Sequence, residues 1–93
     1  MLSVIKAVYQ KQYRILVYFS DNKKGVVDLE DYIFNGKMKP FERLRSLDAF
    51  KNFKVDYTLM WGDDLDLAPE FLYFNAFKNN TQLSTLFSEW GYV

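Results

Sequence analysis

The residues that come closest to a reaction centre in this chain are four carboxylates within eight residues. They follow Trp61 in the stretch WGDDLDLAPEFLY and are Asp63, Asp64, Asp66 and Glu70. Carboxylate oxygens suit Ca²⁺ or Mg²⁺, but this spacing is not that of the helix–loop–helix calcium loop, with its alternating acids, glycine and distant glutamate. We therefore predict a solvated turn at Gly62–Asp64, with Asp66 capping the next helix. A carboxylate-based metal-binding or enzymatic site at Asp63–Glu70 and a surface for a basic partner are the alternatives.

Composition excludes several kinds of catalysis. The chain has no histidine and no cysteine, so a His-based triad, an imidazole ligand and a thiolate metal site are all ruled out. Paired-carboxylate hydrolysis needs two acids held across a cleft, which a single loop does not offer. The four glycines are scattered and form no phosphate-binding loop. We predict a protein that is not an enzyme, with no cofactor, no metal and no small-molecule substrate.

Basic residues cluster in the segment Lys37–Arg45, at Lys37, Lys39, Arg43 and Arg45. Such side chains can contact phosphates, which is the sequence-independent part of nucleic-acid binding. The isoelectric point of about 6.2 and the lack of a helix-turn-helix pattern argue against a dedicated nucleic-acid binder. We predict a solvated linker and no direct nucleic-acid contact. A component of a DNA-associated transcriptional regulator is the alternative.

Net charge is zero but unevenly distributed, because residues 1–54 carry a balance of +5 and residues 55–93 a balance of −5. A dipolar surface of this kind can steer a charged partner or favour antiparallel self-pairing, and chance surface charge is the alternative. Aromatic residues make up 19% of the 93 residues, more than one small core readily holds. The surplus predicts a protein partner or self-association, for example as a homodimer.

Length and hydropathy indicate a single domain in the cytoplasm. Ninety-three residues leave room for one core. We find no signal-peptide pattern and no apolar run long enough to cross a bilayer, so we expect a soluble protein with no membrane contact.

Alternating apolar residues predict strands at residues 3–9, 13–19, 25–28 and 53–61, the last one broken near Asp56–Tyr57. The first three form a meander joined by a turn at residues 20–25. One face of the second strand carries Tyr13, Ile15, Val17 and Phe19. The other carries Arg14, Leu16 and Tyr18 and is at most half covered. The expected fold is α+β, with an antiparallel sheet of about five strands and several short helices.

Capping residues predict the helices. Asp28 begins a helix that ends at Asn35-Gly36, and Ser46 caps a short helix in which Leu47 and Phe50 share a face. Pro69 begins a helix that is apolar on nearly every side, which is typical of a helix buried all round or shared with a partner. A last helix runs from 81 to 90 and ends at Gly91.

The acidic stretch and the two aromatic helices that follow it are the predicted partner-binding residues. They are Trp61, Asp63, Asp64, Asp66, Glu70, Tyr73, Phe74, Phe77, Phe87 and Trp90.

Several short motifs in a fixed order resemble the DUF2442 family, a set of small bacterial proteins of unknown function. They are F-S-D at Phe19–Asp21, V-D-L at Val27–Leu29, then Phe50, Val55, Trp61 and D-L-A-P-E-x-L-Y at Asp66–Tyr73. Family members typically have Pro-Asn-Gly after the tryptophan, where this chain has Gly62-Asp63-Asp64. They also have Asp-Gly in the first turn, where this chain has Asp21-Asn22.

The resemblance implies a small α+β domain with no established enzymatic activity. Some relatives are fused to a helix-turn-helix segment, and others are similar to the smaller partner of toxin–antitoxin gene pairs. These associations imply a regulatory or antitoxin-like role. The family domain corresponds to residues 1–76, and residues 77–93 form a C-terminal helical extension that we expect to pack on the same domain.

Overall fold

The first sheet is a three-stranded antiparallel meander. The computed structural model describes all residues from Met1 to Val93. The strands, in sheet order, are β1 (Val4–Lys11), β2 (Arg14–Phe19) and β3 (Lys24–Asp28). Side chains alternate along β2, and those directed into the domain are fully buried: Ile15, Val17 and Phe19. The predicted meander is confirmed.

The second sheet is also antiparallel and three-stranded. Its strands, in sheet order, are β4 (Lys54–Asp56), β5 (Thr58–Trp61) and β6 (Leu65–Leu67). Tyr57 separates β4 from β5 with a φ of 58°, which confirms the predicted break. Gly62 adopts a φ of 65° in the tight turn between β5 and β6, a conformation that glycine adopts at little cost.

The expectation of one sheet of about five strands is wrong, because the six strands divide into two separate sheets. Residues 29–53 lie between the two groups of strands and form no strand, whereas the left-handed Tyr57 turns the chain between two strands of the second sheet. β1 meets this corner through a hydrogen bond from the Val4 N–H to the Tyr57 carbonyl (2.7 Å), and no paired ladder joins the two sheets.

The helices are short and follow the predicted order. They are α1 (Glu30–Asn35), α2 (Leu47–Lys51), α3 (Pro69–Phe77) and α4 (Ser84–Glu89), with 3₁₀ turns at Lys39–Arg45 and Thr81–Leu83. The predicted Asp28 cap is wrong: the N-cap of α1 is Leu29, without a side-chain cap, and Asp28, just before it, accepts a hydrogen bond from the Glu30 N–H at Oδ1. Gly91 ends α4 with a φ of 85°, and the Tyr92 N–H then reaches back to the Phe87 carbonyl.

A second predicted cap is also absent. Asp66 does not cap α3, because it lies within β6 and α3 begins after Ala68 with no side-chain cap. In the predicted helix after Ser46, Leu47 and Phe50 stand three residues apart; Leu47 is 38% exposed and Phe50 is fully buried. α2 has only five residues, and Phe50 alone reaches the aromatic ring of Trp61 beneath it.

One hydrophobic core of seventeen buried residues joins both sheets and the helices. α3 lies at its centre. On one side it approaches β3 so closely that a Cβ on Gly25 would stand 2.9 Å from Phe77 Cε1. On the other side the C-terminal segment contributes Phe87, which is 1% exposed. The apolar helix predicted after Pro69 is therefore covered within the chain.

Candidate partner-binding surface

Trp61 is a core residue. Its side chain is 3% exposed, packs against the rings of Phe41 and Phe50, and donates its Nε1–H to the Phe50 carbonyl at 2.8 Å. A buried indole N–H requires such an acceptor. Trp61 therefore ties β5 to the end of α2 and offers no surface to a partner.

The carboxylates beyond Trp61 point to solvent, and three of them are held by other residues of the chain. Asp63 pairs with Lys54 at 2.9 Å, Asp64 pairs with Arg43 at 2.9 Å, and Asp66 accepts from the Tyr57 hydroxyl at 3.3 Å. The hydrogen bond from Arg43, and then its charge, lower the pKa of Asp64. Glu70 lies half-buried in the first turn of α3. No three acids in the structure form a metal-binding group.

The aromatic members of the predicted set form one cluster around α3. Tyr73 and Phe87 are buried, whereas Phe74, Phe77 and Trp90 are partly buried against the core. The Tyr73 ring contacts the rings of Phe77, Phe87 and Trp90, with centroids 4.8 to 6.4 Å apart. Burial raises the pKa of Tyr73 to about 12, and its hydrogen bond to Asp21 Oδ2 (2.7 Å) adds to this effect.

The predicted partner-binding set thus divides into three places. Trp61 lies in the core. The acids lie on or near the exposed turn, with Asp66 in β6 and Glu70 at the start of α3. The five aromatics lie around α3, where Phe77 packs on the β3 side and the others pack with the C-terminal segment. Only the acids and the outer edges of the half-buried rings reach the surface.

Two of the four basic side chains in the segment Lys37–Arg45 donate hydrogen bonds within the chain. Arg43 donates to Asp64 and to the Trp61 carbonyl (3.1 Å), and Arg45 donates to the carbonyls of Ile33 and Phe34. Both arginines hold loops in place, so only Lys37 and Lys39 remain without a hydrogen-bond partner in the chain. The segment is less available to phosphates than its sequence suggests.

The structure has one pocket, an open depression of about 390 Å³ beside α1. Three carboxylates line it, but Asp28 is paired with Arg14 and Asp31 accepts from Asn35. Phe34 is its one apolar residue. The depression has no enclosed wall and no buried polar group that would select a ligand.

The core leaves the outer face of the first sheet open. Directly paired residues on the three strands stand side by side on this face and form three rows. The cationic row is Lys6, Tyr18 and Lys24. The apolar row is Val8, Leu16 and Val26. The paired row is Lys11, Arg14 and Asp28.

The apolar row crosses all three strands without a cover. Val8 is 42% exposed and Val26 is 40% exposed, while Leu16 between them is half-buried. Lys6 and Lys24 place their ammonium groups over the Tyr18 ring at 5.2 and 5.6 Å from its centroid. None of these residues is in the predicted site. The alternation in β2, which indicated a face that is at most half covered, was the signal that could have found them.

No helix combines the length and the apolar character needed to cross a bilayer; the longest, α3, has nine residues.

Neither the curated proteins nor the solved structures include a match to the chain. Residues 4–78 match the family model of DUF2442, described as a protein of unknown function. This match spans both sheets and α1 to α3, and the motifs around Trp61 and Pro69 lie within it. The chain therefore belongs to the DUF2442 family.

Proposed function

We propose that this chain is a non-enzymatic binding domain that contacts a protein partner through the outer face of its first sheet. The observation that carries this proposal is the exposed apolar row. A partner that removes an apolar row of this kind from water lowers the free energy of the complex. We propose an antitoxin-like or regulatory role in the bacterial cytoplasm, in line with the toxin–antitoxin gene pairs that the family resemblance implies.

The size of the face sets the kind of contact. Three strands about 4.8 Å apart and three rows about 7 Å apart give roughly 300 Å² of surface. A typical specific interface buries about 800 Å² on each partner. The sheet face therefore forms the centre of the contact, and the partner must also cover neighbouring surface such as Ile5 on β1, which is 60% exposed.

The aromatic cluster does not carry this proposal. Its central rings, those of Tyr73 and Phe87, are already buried by the chain itself. A partner could reach them only by displacing the C-terminal segment, whereas the apolar row is open in the folded domain.

Site-specific photo-cross-linking in the native cells tests the proposal. A photoreactive phenylalanine analogue replaces Leu16 at the centre of the apolar row, and the same analogue replaces the exposed Leu47 on α2 as the matched control. We expect one discrete protein adduct from position 16 that is absent from position 47. The absence of any discrete adduct at position 16, or the same adducts at both positions, contradicts the proposal.

A further inference from the structure

The two lysines of the cationic row have no carboxylate partner in the chain. The structure contains three ion pairs, and their cations are Arg14, Arg43 and Lys54. Lys6 and Lys24 are exposed and stand on β1 and β3, on either side of Tyr18 on β2. Two unpaired positive charges thus lie beside the exposed apolar row.

The opposite end of the face is different. There Asp28 Oδ2 lies 3.1 Å from Arg14 Nε and balances its charge. Across the face, the order is therefore two free cations, an apolar row and a partly balanced row. A ligand that matches this order carries carboxylates at one end and apolar side chains in the middle.

We propose that the outer face binds an acidic, apolar segment of a different protein, with carboxylates on Lys6 and Lys24 and apolar side chains on the apolar row. This inference rests on the proposed function and names the chemistry of its partner. Opposite charges at the edge of an apolar contact speed association and select against partners of the wrong charge.

Charge argues against a second copy of this chain as the occupant. A two-fold axis between two stacked faces brings the cationic row either onto itself or onto the paired row. The paired row, with Lys11, Arg14 and Asp28, still carries a net positive charge. Docking the face onto the acidic half of another copy is a head-to-tail contact, which forms open chains unless its rotation closes a ring.

The geometry around Tyr18 argues against single-stranded nucleic acid. Base stacking needs an aromatic ring with an open face. The neighbouring strands bring one ammonium group to Tyr18 from each side, and Tyr18 is the one aromatic residue in the three rows. The lysines and the apolar row together suit carboxylates and apolar side chains better than stacked bases.

Peptide titrations followed by amide chemical shifts test this inference. The probes are a hexapeptide of alternating leucine and glutamate, the same peptide with glutamine in place of glutamate, and a labelled oligothymidine strand. We expect the acidic peptide to shift the amides of β1 to β3 and to bind more weakly as ionic strength rises. In the variant Lys6→Gln/Lys24→Gln its affinity should fall about fivefold.

The matched control is Lys37→Gln/Lys39→Gln, which removes the same charge from the segment after α1. This variant should bind the acidic peptide as the wild type does. Equal binding of the two peptides overturns the charge-based inference and leaves the proposed protein contact standing. No binding of the acidic peptide, or tighter binding of the oligothymidine strand at the same face, also overturns it, while the cross-linking at position 16 judges the proposed function separately.

Discussion

At the scale of single residues, Arg43 joins the turn after Trp61 to the rest of the domain. Its guanidinium donates to both oxygens of Asp64 and to the Trp61 carbonyl. The planar fork of an arginine can hold these acceptors together, which a lysine cannot do. The ion pair itself is exposed, and exposed pairs contribute little to stability. The contact with the Trp61 carbonyl is therefore the part that orders the turn.

Tyr73 provides a prediction for pH. Its pKa is raised to about 12 from an ordinary value of 10.0, first by burial and then by Asp21. The neutral phenol is thus favoured in the folded state, so its contribution to stability is complete below pH 10 and is lost as pH rises towards 12. The melting temperature of the wild type should fall over this range, and that of Tyr73→Phe should fall less.

At neutral pH the variant Tyr73→Phe loses the hydrogen bond to Asp21, so its free energy of unfolding should be about 1 kcal/mol lower than that of the wild type. Comparison with Tyr9→Phe, whose hydroxyl donates to the exposed Gln12 carbonyl, separates this effect from general titration of tyrosines and lysines. Parallel loss of stability above pH 10 in wild type and Tyr73→Phe would show that Tyr73 is not the responsible group.

The sequence indicated part of this residue-level picture. Gly62 and the two aspartates after it predict an exposed turn from local chemistry alone, and the structure has that turn. The cations that hold Asp63 and Asp64 lie nine and twenty-one residues away, at Lys54 and Arg43. Tertiary folding brings them there, and no local spacing encodes it. The hydrogen bond from Tyr73 to Asp21 joins residues that are 52 positions apart, so no local spacing indicates it either.

At the scale of secondary-structure elements, the contact between α3 and β3 depends on a glycine. A Cβ at position 25 would lie 2.9 Å from Phe77 Cε1 and 3.0 Å from Ala76 Cβ, distances at which one group must move. Gly25→Ala should therefore lower the free energy of unfolding by about 1–3 kcal/mol through overpacking. Urea denaturation measures this loss.

A second substitution tests the steric cause. Phe77→Leu removes the ring atoms that crowd position 25, so the double variant Gly25→Ala/Phe77→Leu should be more stable than the sum of the two single losses implies. Strictly additive losses would show that the alanine acts through something other than this contact, such as the entropy of the unfolded chain.

Strand prediction succeeded for β1 to β5 and missed β6. β2 places three buried residues at every second position over six residues, and this pattern is hard to mistake. β6 has only three residues, and its single exposed Asp66 between two leucines looks the same as a loop. The two sheets are separated by residues 29–53, which form helices and no strand, and the alternation within each strand does not indicate that its group forms a separate sheet.

At the scale of the whole molecule, the C-terminal segment completes the domain. The family match ends at residue 78, before α4. Yet Phe87 belongs to the same core cluster as the strands, and Tyr92 stacks on Phe74 at 5.0 Å. The apolar helix and the aromatic surplus, which predicted a partner, are largely explained by this internal packing. The open apolar row on the first sheet is not.

Phe87→Ala tests whether this segment and the sheets unfold together. The substitution should lower the free energy of unfolding by about 3–5 kcal/mol. This is a large part of the roughly 5–10 kcal/mol expected for a domain of this size. Leu86→Ala, at the half-buried neighbouring position, should cost clearly less.

Trp90 reports on the C-terminal segment and Trp61 on the core beneath β5, so Trp90→Phe isolates the core signal. Because Phe87 lies in the one core that both sheets share, the two tryptophan signals and the circular dichroism should change in a single transition. An early change confined to Trp90 would instead mean that the segment detaches on its own, and α3 would then present its aromatic face to a partner after all.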